Sequence, residues 1–357
     1  MRRALAVATA VLVLFGACSG DDGADRGGDD TATTEAVLEA LAGGVIIPSY
    51  EAVVTDVQAL GASLDALCQS PSQAALELAQ DRWRDTDLAW QSTRATGVGP
   101  AIERRAMQAI AFRARADKVE AAVADPKVLD PATLDDLGAD VRGIYAVEEL
   151  LFAAPSASLA SPDGTARCAY ARSATELAAG AAVAVLDQWT QLDGGYRGTF
   201  VAGMDGDPIS SIGAVVNEMT FRLQQIDDQG IRALAEASAY DELPSARREG
   251  AAAHGLASTR GVLGGIAAAV LGPDGEPGLA DLVRSRSADT ADRLEQAVQR
   301  ALEVLSALPD SSEAAFRDAA GVDAAAEAIG ALHVLVATEV ASQLGVTIGF
   351  SDSDGDS

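Results

Sequence analysis

Apolar residues recur at steps of three and four along much of the chain, which is the spacing of an amphipathic helix. The clearest early example opens at Pro48 and covers residues 49–69. Its apolar stripe consists of Tyr50, Val53, Val54, Val57, Leu60, Leu64 and Leu67. Ser70 and Pro71 end this segment, and the Ser72 hydroxyl is placed to cap a second helix.

The pattern after Ser72 predicts a series of helices separated by breaks that contain Gly and Pro. The second helix runs to about residue 95, and Trp83 and Trp90 lie seven positions apart on one of its faces. The remaining predicted helices cover residues 101–123, 131–152, 166–192, 209–238, 244–271, 278–308 and 322–345. No stretch shows a sustained two-residue alternation, so the predicted fold class is all-α.

A Gly- and Asp-rich stretch at residues 193–208 is the best candidate for a junction between two domains. A chain of 357 residues is long enough for about two domains. We therefore expect two helical bundles of about four helices each, packed side by side. The N-terminal bundle covers residues 35–195 and the C-terminal bundle covers residues 196–357.

The N-terminus predicts export and anchoring. Two arginines precede an apolar run at residues 4–15, which is too short to span a bilayer, and Cys18 follows it. This arrangement resembles a bacterial lipoprotein signal, so residues 1–17 are expected to be removed and Cys18 to receive a lipid. The alternative is an ordinary secretory signal. Residues 18–34 are then a flexible tether, and the protein lies in the cell envelope, on the outer membrane if the cell is Gram-negative.

The charge of the chain argues against nucleic-acid partners. It carries 26 Lys and Arg residues against 53 Asp and Glu residues, a formal net charge of −27. Binding to phosphates needs clustered cations, which this composition lacks. The two histidines, His254 and His333, are too far apart in sequence to form a local two-histidine metal motif.

Two cysteines remain after Cys18, namely Cys68 and Cys168. An exported protein folds in an oxidising compartment, where a pair of cysteines is more often a disulfide than a metal site. We therefore predict a disulfide between them. The alternative is two buried thiols.

Four segments, in order, resemble the imelysin-like family. Residues 143–152 contain Gly-x-Tyr-x-x-Glu, which is similar to the family's Gly-x-His-x-x-Glu, and residues 83–100 resemble its first helix and turn. Residues 245–248 with 261–265, and the C-terminal residues 344–356, resemble its later motifs. The resemblance implies an all-α fold of two bundles, an envelope location and a role in iron acquisition with iron-uptake components as partners. The family also carries a metallopeptidase label.

Tyr145 stands where the family's motif has His, and this departure weakens the peptidase interpretation. A zinc peptidase typically needs three protein ligands, a water position and a general base. A phenol with a pKa of about 10 is a poor zinc ligand. We therefore do not expect zinc hydrolysis, and we expect no catalytic residues.

Tyr145 and Glu148 lie one helical turn apart and are placed to line a polar pocket with Arg94 and Trp90. Phenol and carboxylate oxygens suit Fe³⁺, so an iron ion bound by Tyr145 and Glu148 is the candidate ligand, and no other cofactor is expected. The alternative is that Glu148 and Arg94 form a buried ion pair that holds helices together.

Asn217, Glu218 and Arg247 complete the candidate binding residues. Arg222 follows Glu218 by four positions, a spacing that is also typical of a solvated pair on a helix. Three functions remain open: an envelope-tethered binding protein for iron or an iron complex, a structural lipoprotein, and a metallopeptidase.

Overall fold

A computed structural model describes residues 34–128, 130–153, 159–160, 164–191, 195–243 and 250–349. Within these ranges the regular structure is helical and no β-strand occurs, which confirms the all-α prediction. The principal helices are α1 Thr34–Gln69, α2 Gln73–Thr93, α3 Ile144–Phe152, α4 Thr165–Thr190, α5 Pro208–Gln224, α6 Gly255–Leu271, α7 Ala288–Ser306 and α8 Ala319–Leu344. Shorter α-helices cover Pro100–Glu103, Ala106–Ile110, Ala116–Val123, Pro131–Asp135, Gly195–Ala202, Arg232–Glu236, Leu279–Arg284 and Ser312–Ala315.

Helix α1 passes through Pro48 instead of beginning there, so the predicted start of the first helix is wrong. Proline has no N–H group, and its ring crowds the carbonyl group four residues earlier in a helix. The segment Leu41–Ile46, just before Pro48, is wound as a π-helix. This wider turn changes the hydrogen-bond register and lets the helix continue through the proline.

Helix α2 lies where the sequence predicts it, and its N-terminus is capped as expected. The Ser72 hydroxyl accepts a hydrogen bond from the backbone N–H of Ala75 at 3.2 Å. The Trp83 indole on this helix is buried and donates to the carbonyl of Ile144 at 2.7 Å. This bond fixes the start of α3 against α2.

The predicted helix at residues 101–123 is wrong, because short helices replace it. Arg105 adopts a φ of 50°, a left-handed conformation that separates Pro100–Glu103 from Ala106–Ile110. The chain then runs without helix until Ala116–Val123. A non-glycine residue held at positive φ stores backbone strain, which the surrounding packing must offset.

The predicted helix at residues 131–152 is also broken, and Gly143 is the residue that directly precedes α3. This glycine adopts a φ of 77°, and a Cβ atom there would lie 2.4 Å from the Ile110 carbonyl oxygen. Only glycine allows both the backbone conformation and this close approach. The glycine of the Gly-x-Tyr-x-x-Glu segment therefore sets the position of Tyr145 and Glu148.

Two predicted helices of the C-terminal half are shorter than expected. Helix α6 begins at Gly255, whereas the sequence predicts a start at residue 244. The predicted helix at residues 278–308 is divided into Leu279–Arg284 and α7, and the Ser287 hydroxyl caps α7 by accepting from Thr290 N–H at 3.3 Å. Local capping at a polar residue thus overrides the continuous apolar pattern.

Helix α2 occupies the centre of the packing. It packs against α1 and α3 on one side and against α6 on the other, while α4 packs along α1. In the second half of the chain α6 packs on α7, α7 on α8 and α5 on α8. Buried apolar side chains from both halves form one contiguous cluster that runs from Val37 to Leu344. The boundary between two bundles at residue 195 stays a prediction.

Cys68, at the end of α1, and Cys168, in the first turn of α4, form a disulfide with a Cα–Cα distance of 5.7 Å. The predicted pairing is confirmed. The bond closes a loop between residues separated by 100 positions and ties together two helices that already pack side by side.

Helices α1 and α8 have the length and apolar composition of a membrane span. In the most apolar 18-residue stretch of each helix, 50% and 39%, respectively, is buried. Their inward side chains, such as Leu60 and Ile329, are fully buried in the core. A helix in the core of a protein can have the same length and apolar composition as a membrane span. Cys18, the signal at residues 1–17 and the tether up to residue 33 lie outside the described residues.

Candidate functional site

Tyr145 and Glu148 extend from α3 towards the contact between α2 and α6. Glu148 is only 7% exposed, and Tyr145 is half-buried. The Trp83 ring from α2 packs near Tyr145, with 6.2 Å between the ring centroids. The two residues therefore lie where three helices meet.

Asp87 of α2 is fully buried at this meeting point and is the acceptor that joins the three helices. Its carboxylate accepts hydrogen bonds from the Tyr145 hydroxyl at 3.0 Å, from the Gln91 amide at 3.0 Å and from the Ser258 hydroxyl of α6 at 2.5 Å. Three donors offset much of the cost of burying a carboxylate. Burial, and then the nearby charge of Asp87, raise the pKa of Tyr145 well above its usual value, so the phenol stays neutral.

A chain of polar side chains leads from Tyr145 across to α5. Gln91 donates to the Tyr145 hydroxyl at 2.7 Å and accepts from Arg94 at 3.0 Å. Arg94 also donates to Gln225 at 2.8 Å, and Gln225 accepts a second hydrogen bond from Arg222 at 3.1 Å. The chain thus connects the motif helix with the end of α5, where the backbone forms the π-helical segment Gln225–Ile231.

Arg94 is a cation with no carboxylate partner among the described residues, because its two hydrogen bonds go to the neutral amides of Gln91 and Gln225. Burial, followed by repulsion from Arg222, lowers the pKa of Arg94 to about 10. The nearby Glu218 carboxylate is held by Arg222, with 2.6 Å between the charged atoms. The guanidinium of Arg94 therefore remains charged at neutral pH, with Asp87 and Glu218 near it but neither in direct contact within the described residues.

Arg94 lies at the side of a large cleft with a volume of about 810 Å³. Four of the predicted binding residues line it, namely Trp90, Arg94, Asn217 and Glu218. The walls are mainly apolar, and Ile102, Met107 and Met204 are exposed at them. This size and composition are typical of a site for a small organic ligand.

Asn217 has a structural role at the edge of this cleft. Its amide donates to the carbonyl of Thr347 at 3.1 Å and accepts from the N–H of Gly349 at 2.8 Å. These two bonds fasten the C-terminal segment across α5. Asn217 therefore shapes the cleft by holding the backbone that borders it.

Glu218 and Arg222 differ from the solvated pair that their spacing favours. The side chains are 16% and 13% exposed respectively, and both line the cleft. The interpretation of a solvent-exposed pair is therefore wrong. The face of α5 that carries Glu218 and Arg222 is turned towards the end of α2 and the turn Arg94–Thr96 that follows α2. A largely buried ion pair is held more rigidly than a surface pair and is less screened by salt.

Glu148 lies beside a separate cavity of about 250 Å³, lined also by Trp83, Tyr145 and His254. Its carboxylate accepts a hydrogen bond from the backbone N–H of Ala252 at 2.8 Å. Burial raises the pKa of Glu148 to about 8 despite this bond. The carboxyl group is therefore mostly protonated at neutral pH.

His254 faces the same cavity and is 7% exposed. Its Nε2 atom has no hydrogen-bond partner within the described residues. Burial lowers the pKa of His254, so the ring is neutral at neutral pH. The sequence favours a packed or a surface histidine over a metal ligand at this position, and the structure shows a buried ring.

The predicted site residues thus form two groups. Tyr145 and Glu148 lie on one side, whereas Trp90, Asn217 and Glu218 lie around the large cleft. Arg94 connects the groups, because it borders the large cleft and also a cavity of about 290 Å³ that Tyr145 lines. Arg247 lies outside the described residues.

The alternative of a direct Glu148–Arg94 ion pair is not found between these two described side chains. Glu148 accepts from Ala252, and Arg94 donates to Gln91 and Gln225. Asp87 holds these helices together instead, and it is not one of the predicted site residues.

The sequence contained one usable signal for the missed residues. Asp87 and Gln91 of α2, and Arg94 directly after its last residue, lie at steps of four and three on the same face as Trp83 and Trp90. Polar residues within a buried stripe indicate a buried network. The other partners are far away in sequence: Ser258 lies 171 positions from Asp87, and Gln225 lies 131 positions from Arg94. No local pattern in the sequence indicates these contacts.

The donor set fits a bare iron ion poorly. Among the residues that the structure describes, no group of three or more His, Cys, Asp and Glu side chains could hold a metal ion. The Tyr145 hydroxyl is already bonded to Asp87 and Gln91, and its raised pKa disfavours the phenolate that Fe³⁺ prefers. An iron site formed by Tyr145 and Glu148 alone stays a prediction.

Comparison with known sequences gives a consistent result. The family model for imelysin (Peptidase_M75) matches residues 46–338. Iron-regulated protein A of Synechococcus elongatus is 28% identical over 152 residues, which are 42% of this chain and 38% of that protein. The match therefore spans well under half of the length of this curated relative.

Two solved structures share the fold over nearly their whole length. An imelysin-like protein from Psychrobacter arcticum 273-4 superposes with a TM-score of 0.71 at 21% identity, covering 90% of this chain and 98% of that chain. An iron-regulated protein A precursor from Parabacteroides distasonis ATCC 8503 superposes with a TM-score of 0.75 at 16% identity, covering 91% and 98%. Likeness at such low identity bears on the fold alone.

Proposed function

This chain belongs to the imelysin family, and from that premise we propose that it is a non-enzymatic binding protein of the cell envelope that assists iron acquisition. Its cargo is iron held in a complex with an organic molecule, bound in the large cleft beside Arg94. The partners are the membrane, through a lipid on Cys18, and components of an iron-uptake route.

The cleft beside Arg94 is the observation that carries this proposal. It is large enough for a small organic molecule, and it combines apolar walls with the charged groups of Arg94, Glu218 and Arg222. The polar chain through Gln91 connects it to the Tyr145 segment that carries the family resemblance. A ligand that displaces Arg94 would therefore disturb the hydrogen bonds at the contact of α2, α3 and α6.

An iron complex fits the side chains better than a bare ion does. The relatives named iron-regulated protein A support a connection with iron. The Tyr145 hydroxyl is committed to Asp87, and Glu148 holds its proton at neutral pH, so neither is a ready ligand for Fe³⁺. An organic chelator supplies the oxygen ligands itself and leaves recognition of the complex to the protein.

Equilibrium dialysis tests this proposal. Purified, tag-free mature protein is dialysed against ferric citrate and against the ferric complex of 2,3-dihydroxybenzoate, and the retained iron is measured. We expect the wild type and the exposed control Arg300→Gln to retain iron from at least one complex, and Arg94→Gln to lose it. Retention of iron from neither complex by the wild type would contradict the proposal.

The same dialysis distinguishes direct iron ligation. A Tyr145→Phe, Glu148→Gln double variant removes both candidate iron ligands and leaves Arg94 in place. Loss of iron in this variant with retention in Arg94→Gln would assign the ion to Tyr145 and Glu148, contrary to our proposal of a complex in the cleft.

A second candidate function is a structural or interaction lipoprotein without a small ligand. The observation that favours it is Asp87, whose three hydrogen bonds join α2, α3 and α6 in the manner of a structural brace. On this alternative the polar residues stabilise the fold and no complex is retained in the dialysis. The stability measurements described in the Discussion bear on the brace independently of any ligand.

A further inference from the structure

We propose that the ligand of the large cleft is a small organic anion with an apolar body, and that Arg94 binds its negatively charged group. This inference rests on the proposed function, since it names the chemistry recognised at that same site. It does not depend on whether the anion arrives with iron.

The charge of Arg94 gives the first reason. A guanidinium has five N–H donors, and Arg94 uses one on Gln91 and one on Gln225. Its Nε atom is buried and has no partner among the described residues. A buried cation is costly unless it is paired, so an arginine kept here beside neutral amides is suited to receive an external anion.

The neighbouring carboxylate does not serve as that anion. Glu218 is the carboxylate that lines the cleft with Arg94, and both Nε and Nη2 of Arg222 contact its Oε1 atom, at 2.7 and 2.6 Å. Arg105 also lines the cleft and makes no ion pair within the described ranges. Three arginines and one glutamate therefore leave the cleft positively charged.

This positive cleft contrasts with the rest of the molecule. The chain carries a formal net charge of −27. A cleft of opposite sign with low-dielectric walls concentrates anions that the remaining surface repels. Arginine is well suited to carboxylate, phenolate and sulfonate groups because its planar fork donates two parallel hydrogen bonds.

The walls of the cleft give the second part of the ligand's chemistry. Trp90, Val98 and Phe221 contribute apolar surface, and Ile102 and Met107 lie at the wall with 65% and 37% of their surface exposed. Large apolar side chains exposed at a concave site indicate contact with an apolar partner. A volume of about 810 Å³ accommodates an aromatic or branched organic acid.

The position of Arg105 adds an independent indication. It adopts a φ of 50° at the start of Ala106–Ile110, next to the apolar wall. Strained backbone of this kind persists where the surrounding structure holds it, and it is common at ligand sites. Arg105 is exposed and lines the cleft, where its positive charge is placed to attract the same anion.

A matched pair of fluorescent probes tests the inference without iron. The anion 8-anilinonaphthalene-1-sulfonate and the neutral N-phenyl-1-naphthylamine share one ring system and differ by the sulfonate group. Both are titrated into the mature protein, and affinity and stoichiometry are measured. We expect one site for the anion and about tenfold weaker binding of the neutral probe, since a hydrogen bond to a charged group is worth about that factor.

Four variants assign the site. Arg94→Gln should weaken the anion about tenfold and leave the neutral probe unchanged. Arg105→Gln, at an exposed position, should weaken the anion a few-fold, and Ala214→Phe should block both probes by filling the cleft. Arg300→Gln removes an exposed cation elsewhere and should change nothing. Circular dichroism confirms that each variant is folded.

Two results would overturn the inference. Equal affinity for the two probes in the wild type would show that the cleft does not recognise charge. An anion affinity unchanged by both Arg105→Gln and Ala214→Phe would place the probe outside the cleft, even if Arg94→Gln fails to fold. If either result is found but the protein retains ferric complexes in the dialysis, the inference fails and the proposed function stands. If the anionic probe binds in the cleft but no iron is retained, the proposed function fails and this inference stands.

Discussion

The Tyr145 hydroxyl donates a hydrogen bond to the Asp87 carboxylate across 3.0 Å, although the two residues lie 58 positions apart. Tyr145 stands at the position where the similar segment of imelysin-like proteins has His. Its phenol stays neutral here because burial and the Asp87 charge raise its pKa. The residue therefore acts as a fixed hydrogen-bond donor within a buried network.

Replacing Tyr145 with Phe should destabilise the protein. The substitution removes one of three donors to the buried Asp87 and also the acceptor for Gln91. We expect the free energy of unfolding to fall by about 1–3 kcal/mol, measured by urea denaturation monitored by circular dichroism. Tyr196→Phe, at a half-buried tyrosine, is the control and should change the midpoint little. An unaltered midpoint for Tyr145→Phe would mean that the network does not brace the fold.

Glu148 should make the stability of the wild type depend on pH between about 5 and 8. Its pKa is raised in the folded protein from its ordinary 4.5 to about 8, mainly by burial. Between these values the unfolded chain loses the proton while the folded chain keeps it, so stability is full below pH 4.5 and is lost as pH rises. The slope is roughly 1.4 kcal/mol per pH unit from this one group.

Glu148→Gln should remove that dependence. Glutamine keeps the shape and an acceptor for the Ala252 N–H but cannot ionise. Denaturation curves at pH 5, 6, 7 and 8 should therefore show the variant gaining stability relative to the wild type as pH rises. Glu303→Gln, at an exposed carboxylate, is the control and should give a curve parallel to that of the wild type. A parallel curve for Glu148→Gln as well would contradict the raised pKa.

The Cys68–Cys168 disulfide should contribute to stability through the unfolded chain. It joins residues 100 positions apart, and closing a loop of that length limits the entropy of the unfolded state by an equivalent of up to about 4.7 kcal/mol. We expect a reductant to lower the melting temperature of the wild type. A Cys68→Ser, Cys168→Ser double variant should melt at that lower temperature with or without reductant. Equal melting of reduced and oxidised wild type would refute the contribution.

Cys18 should determine membrane attachment. A lipid on this residue would hold the mature protein in the membrane fraction, whereas Cys18→Ala should release it into the soluble fraction. Immunoblots of fractionated cells, with mass spectrometry of the mature N-terminus, measure both location and modification. Wild-type protein in the soluble fraction with an unmodified N-terminus would rule out the anchor.

The helical class could be predicted because apolar spacing is a local property of the sequence. The apolar stripe that starts at Tyr50 and the cap at Ser72 each depend on residues that are close together in sequence, and both are present in the structure. The predicted helix at residues 101–123 fails because Arg105 adopts a left-handed conformation and the short helix after it ends at Ile110. Gly143, which is distant in sequence, lies close to the Ile110 carbonyl, and the sequence near residue 110 does not indicate that contact.

The candidate site shows the same division. Tyr145, Glu148, Trp90 and Arg94 could be selected from the sequence, because their segments resemble motifs of the imelysin-like family and helical spacing places Tyr145 one turn from Glu148 and Trp90 one turn from Arg94. Their grouping could not be predicted. Arg94 reaches Gln225, 131 positions away, and Glu148 meets the N–H of Ala252, 104 positions away.

The sequence by itself determined the helical class, the excess negative charge and the cysteine pair, since these depend on composition and short-range periodicity. Only the tertiary structure decided that Arg94 has no carboxylate partner among the described residues, that the Glu218–Arg222 pair is largely buried, and that Arg94 and this pair face one cleft. The physical reason is that charge compensation and burial depend on which helices come together. Two sequences with the same stripes could pair these groups differently, and the packing of α6 on α2 and of α5 on the turn Arg94–Thr96 after α2 selects the pairing found here.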